Sequence, residues 1–436
     1  MPNLTNLDAT WMNADLLESL VHLQKLERLS ISRLQGSQSE DNEFFEPSFQ
    51  GSKRIKELNM ADSSQMTDSA LVSITRTCQQ IRVLIVSGNR CLTHEGLIQW
   101  CDQLFSPPLL PKTPAGEISD FVPMTELTTI NFANCSRIQS IGFQALFERS
   151  RHLQHVNLMS TRVGDEALQV LAAKNQGLRT VVLNCCVAIS DAGLQTLLRD
   201  CRKLRAVSFL YCNRITVRVF FQNLWRCLGL KELRFSLNGW HVDLIERGIE
   251  GPTPEVEVNP SVILQHEDGF QGITAPQSHY YEPHLEFMIF GKPELDDTTD
   301  HHTLTQGLEP EDSFSSMQEY RQRLILSRMY GQIERLCQLE ILDMRNTHLP
   351  FDLASGLCRL GRLEKLQILE WTGLEQPLGP PEITWLTGTV NKAAPLPSLH
   401  QLVFKGGYSM SKELLRKLKD HRPNLEVQLT QLLDHS

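Results

Sequence analysis

The chain has 436 residues, with 42 Lys and Arg against 51 Asp and Glu, a formal charge of −9. That length exceeds one ordinary domain and asks for several domains or one long repeat array, while the acidic balance argues against binding nucleic acid through overall charge. The composition, 41% hydrophobic and 21% charged, is globular; no run approaches the roughly 18 apolar residues of a membrane span, and the N-terminus lacks the basic-then-apolar order of a secretory signal.

Taken in chain order, the predicted elements repeat. The pattern L-x-x-L-x-L, with any aliphatic or aromatic residue allowed, begins weakly at Leu4 and Leu26. It is clear at Ile55, Ile81, Leu127, Leu153, Leu178, Leu204 and Leu230, and returns at Leu339, Leu366 and Leu399. From Leu127 to Leu230 the starts are spaced 26, 25, 26 and 26 residues apart. Each pattern alternates with period two through its second half, which predicts a short strand with one buried face. A helical stretch follows, as in 191–201, where Leu194, Leu197, Leu198 and Cys201 share one helix face. One strand and one helix cannot bury their apolar faces alone, so the units must stack into a solenoid.

Two segments interrupt the ladder. Residues 105–124 contain five prolines and read as a looped-out insertion. Residues 250–318 hold fourteen acidic residues and one basic residue, Lys292, a charge of −13 that leaves the rest of the chain at +4. This segment is expected to be a largely disordered excursion, and its charge suggests that it could lie along the array. The chain is expected to rejoin through a helix near 316–336. The organisation read from the sequence is thus a solenoid part over 1–249, the acidic insertion over 250–318, and a second solenoid part over 319–436.

Between strand and helix a finer signature recurs: Asn134-Cys135-Ser136-Arg137-Ile138, then Cys185-Cys186-Val187-Ala188-Ile189-Ser190, then Tyr211-Cys212-Asn213-Arg214-Ile215-Thr216. The Ser or Thr ahead of each helix suits an N-cap. These motifs resemble the cysteine-containing class of leucine-rich repeat, specifically the RNI-like arrays of F-box/leucine-rich-repeat proteins, over residues 50–240 and more loosely over 330–430. The resemblance implies an α/β right-handed horseshoe, with parallel strands on the concave face and helices on the convex face. It further implies a protein substrate held on the concave face, in an array serving an SCF-type cullin–RING ubiquitin ligase. No F-box is recognisable, and repeat-like sequence starting at Leu4 leaves no room for one. The expectation is that an F-box lies upstream and contacts the ligase adaptor, or that the protein works without one.

No residues suggest an enzyme: phosphate-binding, nucleophile-elbow and zinc-protease patterns are absent, and no cofactor or metal is expected. Cys135, Cys186 and Cys212 hold one rung of successive units and read as buried packing residues, with no C-x-x-C to bind a metal. His301-His302 beside Asp296, Asp297 and Asp300 reads as a solvated charge run. Many unpaired thiols suggest a reducing compartment, cytoplasm or nucleus. The candidate partner surface is the concave wall at ladder positions 3, 5, 7 and 8: His155, Met159, Val182, Leu210, Tyr211, Arg234 and Leu237, with Trp240 just beyond. Apolar, aromatic and Arg side chains on such a wall have the composition of an interface hot spot; the competing view is that curvature or the insertion covers them. No nucleic-acid or membrane partner is expected. The alternative function is a stand-alone regulator that sequesters a signalling protein, or a Ran-GTPase-activating-like protein, which would need a positioned Arg.

Overall fold

The computed structural model describes residues 3–11, 20, 22–33, 54–63, 66–75, 78, 80–105, 126–220, 223–237, 317–345, 347, 353–372, 378–388 and 394–433. The chain divides into two units, Met1–Trp240 with Leu308–Ser436, and His241–Gly307. The second unit, most of the expected acidic insertion and nearly all of the Pro-rich loop lie outside the described residues.

The first unit is one parallel sheet whose strand order is the order of the sequence. Its thirteen described strands are β1 (Asn6–Asp8), β2 (Arg28–Ser30), β3 (Glu57–Asn59), β4 (Val83–Ile85), β5 (Thr129–Asn131), β6 (His155–Asn157), β7 (Thr180–Val182), β8 (Ala206–Phe209), β9 (Glu232–Phe235), β10 (Ile341–Met344), β11 (Ile368–Thr372), β12 (Gln401–Ser411) and β13 (Glu426–Leu433). The weak repeats at Leu4 and Leu26 do form strands. β13 is an addition that the ladder pattern did not announce.

Each strand begins at the third ladder position, and the fourth positions align across the sheet: Ile130, Val156, Val181, Val207 and Leu233 stand opposite one another. Leu233 then pairs with Leu342, so the register continues unbroken across a long intervening sequence. From the Leu26 unit to the Leu399 unit the first, fourth and sixth positions are buried, as in Leu178, Val181 and Leu183, each 0% exposed, whereas those of the Leu4 unit are half-buried. Eight helices are described: α1 (Asp68–Thr75), α2 (His94–Phe105), α3 (Ser140–Arg149), α4 (Asp165–Lys174), α5 (Asp191–Asp200), α6 (Met317–Glu334), α7 (Pro380–Thr387) and α8 (Lys412–His421). The helix expected to rejoin the array is α6, within two residues of its predicted limits at each end.

After β8 the helix gives way to a 3₁₀ turn, Val217–Phe220, and an extended stretch. Large rings fill the space that a helix would occupy: Phe220 lies 5.0 Å from Trp225 and 4.9 Å from Phe235, centroid to centroid.

Three devices lock each repeat to the next. At ladder position 8 the backbone is left-handed in eight successive units, Trp11, Arg33, Asp62, Gly88, Asn134, Ser160, Cys185 and Tyr211, with φ between 55° and 78°. That turn aims each N–H at the following repeat; Ser160 N, for example, donates to the Asn184 carbonyl at 2.8 Å. At position 9 sits a small buried hydrogen-bonding side chain. Cys135, Cys186 and Cys212 donate Sγ–H to the carbonyls of Val86, Leu158 and Leu183 in the preceding repeat at 3.2, 3.0 and 3.1 Å. Asn89 reaches the Met60 carbonyl at 2.8 Å on the same rung. Burial pushes the Cys135 and Cys186 thiols up to about 12 and Cys212 well above the usual thiol range. The packing reading of these cysteines therefore describes their environment.

The third device is a carboxylate clamp. The first residue of α4, Asp165, accepts from Ser190 N at 2.7 Å and Ser190 Oγ at 2.5 Å. Asp68 does the same for Thr93, and Asp191 for Thr216. The N-cap hydroxyl expected from the sequence thus serves twice. Ser190 Oγ also accepts from Ala192 N at 3.3 Å within its own helix.

Candidate functional site

Alternation within each strand sends ladder positions 3 and 5 to the sheet face opposite the buried core. The parallel register builds these into continuous rows: His155, Thr180, Ala206 and Glu232 in one, and Asn157, Val182, Ser208, Arg234, Asp343 and Glu370 in the other. Neighbours within a row come from adjacent strands about 4.8 Å apart, so Val182 and Arg234 stand about 10 Å from each other across Ser208.

His155 is exposed and its Nδ1 lies 3.2 Å from Thr180 Oγ1. Met159 and Val182 are half-buried. Tyr211 is 45% exposed at the left-handed position of its turn, φ 58°. Two expected wall residues do not project: Leu210 is 6% and Leu237 1% exposed. For a leucine, lying against its neighbours gains roughly 1.5–3 kcal/mol over standing in water, and position in the ladder does not override that gain. Trp240 lies outside the described residues.

Arg234 enters a chain of alternating charges rather than standing alone at an edge. Its guanidinium lies 3.7 Å from Glu232 and 3.7 Å from Asp343; Asp343 accepts from Arg345 Nε at 2.9 Å, and Arg345 reaches Glu370 at 3.3 Å. Asp343 is only 1% exposed, and burial pushes its carboxyl up to about 6 against the pull of Arg345. Burial also works against the Arg345 charge, but Asp343 and Glu370 outweigh it and hold that guanidinium more basic than usual. Tyr211 lies within electrostatic reach of the same guanidinium. Asp343, Arg345 and Glu370 thus form a connected network joined to the Tyr211 side.

Residues 149–172 match a family model described as leucine rich repeat. The protein is a leucine-rich-repeat solenoid. No curated protein matches the chain. Solved structures similar to the solenoid include a chain of the Rad7 and Elc1 complex from yeast, 16% identical, with TM-score 0.34, over 55% of this chain and 64% of that one. The solenoid chain therefore spans less than two thirds of that chain's length. An internalin from Listeria monocytogenes is 10% identical over 99% and 88% of the two chains, TM-score 0.49. A leucine-rich-repeat protein of Leptospira interrogans is 12% identical over 99% and 81%, TM-score 0.41.

The ladder reading missed two surface features of the solenoid. Trp11, 59% exposed, occupies the same left-handed rung as Tyr211, with the Arg33 guanidinium 4.8 Å from its ring centroid. Its signal was its place as the eighth residue of the weak Leu4 unit. The second is a basic rim where the strands begin, signalled by Arg or Lys at the second ladder position in Arg179, Arg205 and Lys231. Among the described residues no cluster of His, Cys, Asp and Glu has the makeup of a metal site.

Proposed function

We propose that the solenoid is a protein-recognition scaffold whose partner lies on the helix-free face between β6 and β11. The observation that carries this is Tyr211. A bulky side chain at positive φ costs of order 1 kcal/mol, and glycine or asparagine would avoid most of it. Tyr211 is also 45% exposed, so core packing does not offset that cost. The turn itself is held by the bond from Tyr211 N to Ser236 Oγ, as in its neighbours; what a partner would use is the ring left in water, and tyrosine is among the residues enriched in binding hot spots.

The finer reading is a substrate receptor of an SCF-type cullin–RING ligase. Its support is the resemblance of the Cys135, Cys186 and Cys212 motifs to F-box-associated repeats. A reducing cytoplasmic or nuclear setting fits eleven free thiols. The deciding measurement is affinity purification of the tagged protein from cells, wild type beside Tyr211→Ala, read by mass spectrometry. Cullin and its adaptor with both baits, and a further set of proteins lost with Y211A, support the receptor reading. A single stoichiometric partner without cullin leaves a stand-alone scaffold, and a partner list unchanged by Y211A sinks the assignment of this face.

A further inference from the structure

The edge at which β6–β9 begin is more basic than the fold requires. Arg149, Lys174 and Arg199 sit in the last turns of α3, α4 and α5, where the helix dipole favours a cation, and need no further reason. Lys231 pairs with Glu340 at 2.6 Å, and Arg205 donates to the Gly229 carbonyl at 2.9 Å. That leaves Arg151, Arg179, Arg202, Lys203 and Arg226, all exposed and without a hydrogen-bonded or ion-paired side-chain partner among the described residues. The register holds them together: Arg205 N donates to the Arg179 carbonyl at 2.7 Å and Lys231 N to the Arg205 carbonyl at 2.7 Å. Like charges gathered at this spacing repel one another.

An open groove of about 310 Å³ lies within this rim, lined by Gln176, Arg199, Asp200, Arg202 and Arg226. Its one carboxylate, Asp200, takes two bonds of 2.8 Å from Arg199 and lies within electrostatic reach of Arg202 and Arg226, one negative charge among three positive ones. Along its flank runs the extended stretch that replaces a helix. Trp225 and Cys227 point into the core at 1% and 0% exposure, while Leu224 and Leu228 stand out at 60% and 47% on either side of Arg226. The stretch is held firmly: Arg226 N donates to the Leu198 carbonyl at 3.1 Å, and Trp225 Nε1 to the Val219 carbonyl at 2.9 Å.

We propose that this rim is a second docking surface, for an acidic polypeptide segment with aliphatic side chains set between its carboxylates. Charge complementarity selects the acidic partner, and the two leucines select a polypeptide over a phosphate backbone. Nucleic acid offers only sugar carbons and the thymine methyl, and no flexible aliphatic side chain, to cover them. The aromatic side chains described as exposed, Trp11 and Tyr211, lie in the turns at the far end of the strands, away from any base that a strand on this rim would present.

The test uses the full chain and three fluorescent probes: a synthetic peptide of Glu pairs separated by leucines, poly-glutamate, and oligothymidylate. The Leu-containing peptide should bind, weaken with added salt, and lose about tenfold in affinity in both Arg202→Glu/Arg226→Glu and Leu224→Ser/Leu228→Ser. Arg202→Ala/Arg226→Ala serves the same purpose if charge reversal lowers the melting temperature. Oligothymidylate or poly-glutamate binding as tightly as the peptide, an unchanged affinity in the leucine variant, or no peptide binding overturns the proposal.

Discussion

At the scale of single residues, the repeat is held by side chains too small to notice in a hydrophobic pattern. Gly193 follows the first residues of α5, and a Cβ there would lie 2.9 Å from Asp165 Cα and 3.0 Å from Asp165 Cγ. Asp165 cannot yield, because both its oxygens hold Ser190. Gly193→Ala should therefore destabilise the protein by about 1–3 kcal/mol, read as a lower urea midpoint with an unchanged slope. Tyr211 should behave in the opposite way. Replacing it by Asn relieves the left-handed strain and should raise stability by up to about 1 kcal/mol while weakening partner retention. Stability and binding moving in opposite directions would distinguish a binding residue from a packing one.

At the scale of elements, the clamps between helices give the fold a pH dependence. Burial raises the Asp191 carboxyl to about 6, even though Thr216 donates two bonds to it. In the unfolded chain the same group titrates near pH 3.9. Between these values the folded state holds the extra proton, so the contribution of Asp191 is full below pH about 4 and is lost as pH rises through about 6. Asp343, raised in the same direction across β9–β11, acts with it. In Asp191→Asn the proton is no longer at stake. The stability difference between variant and wild type should therefore shift toward the variant by on the order of 2–3 kcal/mol between pH about 4 and 7, measured by urea melts at each pH. A flat difference would mean that Asp191 ionises in the fold as it does in water.

At the scale of the whole molecule, the described ladder is one sheet, and its buried thiols report on it collectively. Cys337 and Cys358 are exposed, whereas Cys78, Cys101, Cys135, Cys186, Cys201, Cys212 and Cys227 are buried. A thiol raised to about 12 presents almost no thiolate near neutral pH, so maleimide should label the two exposed cysteines rapidly in the native protein. The seven buried ones should react only as urea unfolds the chain. Rapid native labelling of Cys135, Cys186 or Cys212 would mean that the repeats open locally.

The strands, their order and the core were legible in the sequence because period-two alternation and a spacing near 26 residues are local signals repeated many times. The position-9 rung was legible too, since Cys stands there in three of the four units from Leu127 to Leu204, with Thr161 in the other. What the tertiary structure alone decided were relations between repeats. The tie from Arg234 through Asp343 to Glu370 joins residues from either side of a long intervening sequence, which only the register of β9 on β10 brings together. The burial of Leu210 and Leu237, where the ladder predicted projection, depends on neighbours that no period encodes. The basic rim arises the same way: Arg179 and Arg202 stand at opposite ends of one unit and Arg226 near the end of the next, and they share one edge only when the repeats stack in parallel. Periodicity determines which face of an element is buried; what the exposed faces assemble into depends on the stacking that follows.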